Sequence, residues 1–347
     1  MGIINKVKER SEQQSQPSEG VLLPSAVESD GEQLTQQSTQ RQNPIQVDIP
    51  DIRSSAILVD LTITEWSGSK KDTRASEQVT SMNQAVENSA KVIKELLPKS
   101  HYLKDLHNFV ARVRKQHIQL TMPWGERGTR LLPTAMLPDY KAWAVEAEKE
   151  FHERVAKFVD SYEFELKKVN IELGSLFDAG DYDTKEQVNA RFSICYDYVP
   201  VPNSGDFRVD VGKEALAELQ TSCDTAYARI IEQTTADLWK RLSQPLTNMV
   251  NQLQESNFDG SVRGYKQNGE PKEAGFKATL VPNVLDIIKM MKAANWGDDS
   301  TMNNAILSLE TTLTGVSSDM LKGNTTTRQK VRTTAEQVLK SIPTLNI

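Results

Sequence analysis

Apolar residues recur along this chain at two distinct spacings, and the two spacings divide it into strands and helices. Ile57, Val59, Leu61 and Ile63 alternate with Leu58, Asp60, Thr62 and Thr64. A period of two in β-branched residues predicts a strand. Trp66-Ser67-Gly68-Ser69-Lys70-Lys71 reads as the turn that ends it. Val79, Met82, Ala85, Val86, Ala90, Ile93 and Leu96 then fall at helical spacing and predict a helix over 74–97, stopped by Pro98. A further helix is predicted over 102–119, with Leu103, Leu106, Val110 and Val113 as its seam. Two short extended pieces follow, around 121–125 and 129–133.

The strongest helical signal covers 139–174. Trp143, Ala147, Phe151, Val155, Phe158, Tyr162, Leu166, Val169 and Leu173 recur at threes and fours. At helical rise this arm is roughly 50 Å long. A second arm is predicted over 213–254, with Leu216, Leu219, Cys223, Ala226, Ile230, Thr234, Leu238, Leu242, Met249 and Leu253 in its seam. Pro245 inside it predicts a kink or a restart. Two long helices with single seams suit an antiparallel coiled-coil-like hairpin. Between them, Ala190 to Val199 and Phe207 to Val211 flank a Ser204-Gly205 turn and predict a β-hairpin, whose first strand could also pair with 57–63.

Residues 9–46 are rich in Gln, Ser, Glu and Pro. Such a stretch cannot bury enough apolar area to offset the entropy of ordering. The expected organisation is a disordered tail (1–50), a helical-arm domain with a small sheet (51–255), a flexible Gly-, Asn- and Lys-rich loop (256–281) and a C-terminal helical bundle (282–347). The bundle helices are predicted at 282–294, 300–313 and 326–341. The fold class is therefore mainly α with a small β element.

Composition narrows the chemistry. The 347 residues carry a net charge of -6, and mean hydropathy is -0.51, so any nucleic-acid role needs a local basic patch. No run approaches a membrane span, and the N-terminus lacks a secretory h-region. Gly2 is followed by Lys6 where a myristoylation signal has Ser or Thr. A cytoplasmic protein is expected. Two cysteines, Cys195 and Cys223, make neither a disulfide framework nor a zinc site and read as buried small apolar residues.

No P-loop, Gly-x-Gly-x-x-Gly or Gly-x-Ser-x-Gly motif is present. His101 with Asp105 supplies two ligands on one helix face, too few for zinc, and the four histidines read as surface residues. Asp178, Asp181, Asp183 and Glu186 lack calcium-loop spacing and read as a helix start capped by Asp183, with Glu186 at the third helical position. No metal, cofactor or catalytic residue is expected. The one patch with ligand chemistry is basic. Residues 102–141 hold seven basic side chains against three acidic ones, a local +4. Arg112, Arg114, Lys115, Arg127 and Arg130 could hold phosphates while Trp124 stacks on a base. The alternative is a solvated helix face with a Trp that packs.

Leu61-Thr62-Ile63-Thr64-Glu65-Trp66-Ser67-Gly68-Ser69-Lys70-Lys71 and Ala190-Arg191-Phe192-Ser193-Ile194-Cys195-Tyr196 resemble motifs of an uncharacterised protein family of phages, conjugative elements and bacteria. The turn carries Ser69-Lys70-Lys71 where the family has an Arg-Lys pair. The resemblance covers about 55–250. It implies a gene neighbourhood with a MoxR-type AAA+ ATPase and a von Willebrand A protein, and it carries over no site residues. The expected function is a non-enzymatic interaction protein, an adaptor or substrate of such an ATPase, with self-association through the arms open. The alternatives are a single-stranded nucleic-acid-binding accessory and a virion structural protein.

Overall fold

The structure is a computed structural model that describes residues 52–125, 128–202, 212–258 and 279–343. The expected disordered tail, the Arg127 position, the 207–211 strand and most of the 256–281 loop lie outside these residues. The described residues all belong to one compact unit, 48–347. It is mainly α with a small antiparallel sheet.

The chain enters β1 (Ala56–Thr64), then β2 (Ser69–Asp72), α1 (Thr73–Met82), β3 (Val92–Glu95) and α2 (His101–Leu120). After α2 come β4 (Met122–Pro123), β5 (Arg130–Pro133), α3 (Leu137–Leu173), α4 (Lys185–Asn189) and β6 (Ser193–Pro200). The rest is helical: α5 (Lys213–Gln252), α6 (Leu280–Ala294), α7 (Ser300–Leu313), α8 (Ser318–Gly323) and α9 (Thr325–Ser341). Among the described residues the sheet order is β4-β5-β1-β6, and β2 pairs with β3 as a separate ribbon. β6 makes the expected pairing with 57–63, running antiparallel to β1 from Ile57 opposite Pro200 to Thr64 opposite Ser193.

The helix predicted over 74–97 is a correction. Only α1 is helical, and Asn83 ends it. Gln84 and Asn88 then take positive φ, which long helices do not tolerate. Most of the apolar stripe proposed for that helix faces outward, Met82, Val86 and Ile93 being 85%, 83% and 69% exposed, while Leu96 at its end is buried. The face that packs is polar. Ser76 is buried, donates to the Asp72 carbonyl and accepts from the Val92 amide at 2.9 Å. β3 also carries Lys94, whose ammonium is nearly fully buried between Asp72 and Asp181 and donates to the Leu176 carbonyl at 2.8 Å. This ion cluster ties the ribbon to the far end of α3.

The pairing of the two arms is also corrected. α3 packs against α2, and α5 packs against α6 and α9. Arg154 lies over Phe109 and His117 meets Tyr140, so α2 and α3 run in opposite directions. The reason is proximity in sequence. β4 and β5 bring α2 back onto α3 before α5 exists in the chain order, and the α2 seam supplies an apolar stripe of its own. One core therefore forms from Phe109, Val110, Val113, Phe151, Phe158, Tyr162 and Trp66. Gly68 turns the chain beside it with φ +65, and a Cβ there would lie 2.5 Å from the Leu103 side chain.

The other core joins Leu58, Val59, Leu132 and Tyr140 to Leu238, Trp239, Leu242, Leu246 and Met249 of α5 and to the C-terminal helices. The second half of α5 is thus part of the predicted C-terminal bundle. Helix α5 continues through Pro245 without a restart. Asp299 and Asn324 cap α7 and α9, and α8 was not anticipated. No helix among the described residues is long and apolar enough to cross a membrane.

Candidate functional site

The basic stretch was the sequence's candidate for ligand chemistry, and the fold disperses it. Arg114 donates to Glu65 Oε1 at 2.6 Å and to the Ile63 carbonyl at 3.2 Å. Arg130 donates to Thr121 Oγ1 and to the Thr121 carbonyl, both at 3.1 Å, and reaches the Ile118 carbonyl. Arg241 from α5 donates to the Gln119 carbonyl at 3.2 Å. Two guanidinium groups thus satisfy the last carbonyls of α2, where a cation is favoured by the helix dipole. Burial, reinforced by Arg241, holds the Arg130 pKa below its ordinary value. Trp124 is half-buried against the second core, its ring 5.6 Å from that of Tyr227. Arg112 and Lys115 remain exposed on α2, Arg112 lying over the Phe109 ring.

A buried polar junction lies beneath Arg130, and sequence reasoning missed it. His117, expected at the surface, is 5% exposed. Its Nδ1 sits 2.7 Å from the hydroxyl of Tyr140, which is itself buried. The available signal was His117 continuing the Val110–Val113 seam at the next helical turn. Burial pushes the His117 pKa down to about 4, Arg130 adds to the effect and Asp60 opposes it. Burial likewise raises the Tyr140 pKa, so the phenol stays neutral. The folded chain therefore resists the proton that the unfolded chain accepts near 6.5. Stability from this group is complete above pH 6.5 and is lost as pH falls toward 4, by about 3 kcal/mol in total. Denaturant titrations of parent and His117→Gln between pH 7 and pH 4.5 should show a shallower acid loss in the variant. Equal slopes would place the titration elsewhere.

The remaining candidates resolve simply. Cys195 is exposed and Cys223 half-buried, a correction to the expected burial. The Asp197 carboxylate raises the Cys195 pKa, which disfavours the reactive thiolate. His101 and His152 are exposed, while His107 Nε2 lies 2.9 Å from the Trp66 carbonyl. The acidic run is divided among structural tasks. Asp178 caps a short 3-10 turn, Asp181 pairs with Lys70 and Lys94, and Asp183 pairs with Arg191. Thr184, not Asp183, caps α4, in a reciprocal box with Gln187. Among the described residues no group of three or more His, Cys, Asp or Glu is placed to hold a metal ion.

What the fold leaves open is the first half of α5. Every buried residue of this helix lies at or beyond Thr234. From 213 to 233 none is buried, although Leu216, Leu219, Cys223, Ala226 and Ile230 form a continuous stripe. The segment is anchored at its middle. The Tyr227 hydroxyl donates to the Pro202 carbonyl at 2.6 Å, and its ring meets Trp124. About six turns of amphipathic helix are thus held by Tyr227 and, at one end, by a core, and carry a stripe of half-buried residues with Leu219 exposed that no described element fully buries. The chain matches no family model, no curated protein and no solved structure.

Proposed function

We propose that this chain is a non-enzymatic interaction protein that presents the first half of α5 to a partner helix. The observation that carries the reading is the unburied stripe from Leu216 to Ile230 on a helix whose other half is anchored in a core. An isolated helix of this length is marginal in water, so a helix fixed at one end and amphipathic along its free part suits docking. The resemblance of 55–250 to the phage and mobile-element family makes a MoxR-type AAA+ ATPase the partner to test, with this chain as its adaptor or substrate.

The nucleic-acid reading has less support. Arg114, Arg130 and Trp124 already have partners within the fold, which leaves Arg112 and Lys115, among the described residues of the set, as the cations with no ion pair. Purified chain should bind a MoxR-type ATPase in an ATP-dependent complex, and Leu219→Glu should abolish that complex without changing the melting temperature. Absence of binding with ATP, ADP or a non-hydrolysable analogue would remove the ATPase from the proposal. A complex that survives Leu219→Glu would remove the α5 stripe. Tight single-stranded DNA binding that weakens steeply with salt and is lost in the Arg112→Ala, Lys115→Ala double variant would favour the nucleic-acid reading instead.

A further inference from the structure

Residues 69–95 leave the fold through a narrow neck and return to it. At the neck the Leu96 amide donates to the Gly68 carbonyl at 2.7 Å, where Gly68 turns with φ +65. Trp66, Leu96 and Leu97, just outside the neck, are buried in the core shared by α2 and α3. Beyond the neck no apolar residue is buried, and neither core includes a residue of 69–95. The buried residues of this lobe are Ser76, Thr80 and Lys94. Polar bonds hold its parts together. Asp72 caps α1 by accepting from the Ala75 amide at 2.8 Å, and Thr80 donates to the Ser76 carbonyl at 2.8 Å. Ser76 joins α1 to β3 through the Val92 amide. Beside these bonds, α1 and residues 85–90 line a cleft of about 430 Å³ with Lys71, Glu77, Thr80 and Glu87 on its walls. The attachment of the lobe to the end of α3 is charged. Lys94 reaches the Leu176 carbonyl and Asp181, and Lys70 reaches Asp181 at 2.8 Å.

We propose that this lobe is a charge-latched flap: 69–95 opens about the Gly68–Leu96 neck as one body, with Lys94 as its latch, while the α2–α3 core stays closed. The closed state is only marginally favoured. Apolar burial, the main force that holds an element down, is missing. A buried ion pair loses to desolvation much of what it gains in attraction, and Lys70, half exposed, adds little. Segments with few buried apolar contacts lie at the low-stability end of a fold and open without the rest of it. The lobe moves whole because Ser76 and the β2–β3 ladder bind its parts to one another. Lys94 sets the balance because its side chain is 5% exposed, between carboxylates of Asp72 and Asp181 that are themselves nearly buried. Removing one partner of such a cluster costs far more than the intact cluster contributes, since the remaining charges stay shielded from water. Opening frees the turn from Leu176 to Asp181 and reshapes the far end of α3, and it leaves Trp66, Leu96 and Leu97 in place.

Amide hydrogen exchange of the full chain, followed by mass spectrometry, tests this. In the parent, the amides of α1, β2 and β3 should exchange together, and faster than those of α2 and α3. Lys94→Met should speed exchange in the lobe at least about tenfold and leave α2 and α3 unchanged. Asp181→Asn is the milder variant, expected to act on the same amides, and it keeps the test open should Lys94→Met fail to fold. Ile93→Thr, at a position 69% exposed, should leave exchange in the lobe as it is in the parent. A speed-up shared equally by α2 and α3 would put the lobe in one cooperative unit with the core and overturn the flap. So would α1 exchanging apart from β3, because the lobe would then not move as one body. Exchange unaltered in both Lys94→Met and Asp181→Asn overturns the latch. An Ile93→Thr effect as large as that of Lys94→Met also overturns it, because apolar contact would then hold the lobe closed.

Discussion

Phe158→Asp is expected to unfold a large part of this protein at temperatures where the parent is stable. Phe158 is fully buried in the core shared by α2 and α3. Its ring lies 6.0 Å from that of Trp66, 6.1 Å from that of Tyr162 and 5.8 Å from that of Phe192. Truncating a buried phenylalanine costs about 3–5 kcal/mol through lost transfer energy and the cavity left behind. A carboxylate in the same place finds no cation to pair with, and a buried unpaired charge adds several kcal/mol more. The sum approaches the whole stability of an ordinary domain, about 5–15 kcal/mol. Phe158→Leu provides the calibration, because it keeps most of the apolar volume and should cost only about 1–2 kcal/mol. Thermal melts followed by circular dichroism separate the two variants. A Phe158→Asp protein that melts with the parent would mean that α3 does not pack on α2 along this face.

The second large effect is expected at the opposite end of the chain. Arg328 is 5% exposed and lies at the first turn of α9. Its guanidinium donates to the Leu321 carbonyl at 3.1 Å and the Lys322 carbonyl at 2.9 Å. It also reaches Thr325 Oγ1 at 2.8 Å and Glu255 Oε2 at 3.0 Å, with Phe258 stacked beneath it at 4.1 Å. One side chain therefore terminates α8, starts α9 and ties both to the segment after α5. Arg328→Met keeps much of the volume but leaves the two carbonyls without a donor. Glu255 is partly exposed and can turn to water, so the loss is below that of a fully buried pair. A decrease of about 2–4 kcal/mol in unfolding free energy is expected. Arg328→Lys should recover only a small part, because an ammonium cannot span four acceptors with a planar fork. Chemical denaturation of both variants checks this, and a methionine variant as stable as the parent would show that water satisfies those carbonyls.

These two residues also show how differently the sequence reveals its structure. Phe158 stands in a run of threes and fours, so its burial was legible without coordinates. Arg328 is charged, in a helix of low apolar content, and nothing local marks it as buried. The same contrast runs through the candidate site. The α5 stripe was visible as a pattern, and so were Arg112, Arg114, Lys115, Trp124 and Arg130 as a basic cluster. Their uses were not visible. Arg130 is directed onto the end of α2 by the β4–β5 pairing, and Trp124 is claimed by Tyr227 from a helix about a hundred residues later.

The sequence alone determined the local elements. Period two placed β1, and seams at threes and fours placed α2, α3, α5, α6, α7 and α9 close to their observed ends, because such patterns are tied to backbone geometry over a few residues. It misread 74–97, where polar Ser76 and Lys94 face inward while Met82, Val86 and Ile93 face out, since periodicity records an apolar stripe and not what the stripe meets. Only the tertiary structure decided which seams join. The α3 stripe is compatible with α2 or with α5, as both offer apolar residues at matching steps, and hydrophobic burial is non-directional. Chain connectivity through β4 and β5 gave α2 to α3, and the C-terminal helices took the far half of α5. The near half kept its pattern and, within the described fold, was left without a helix to bury it.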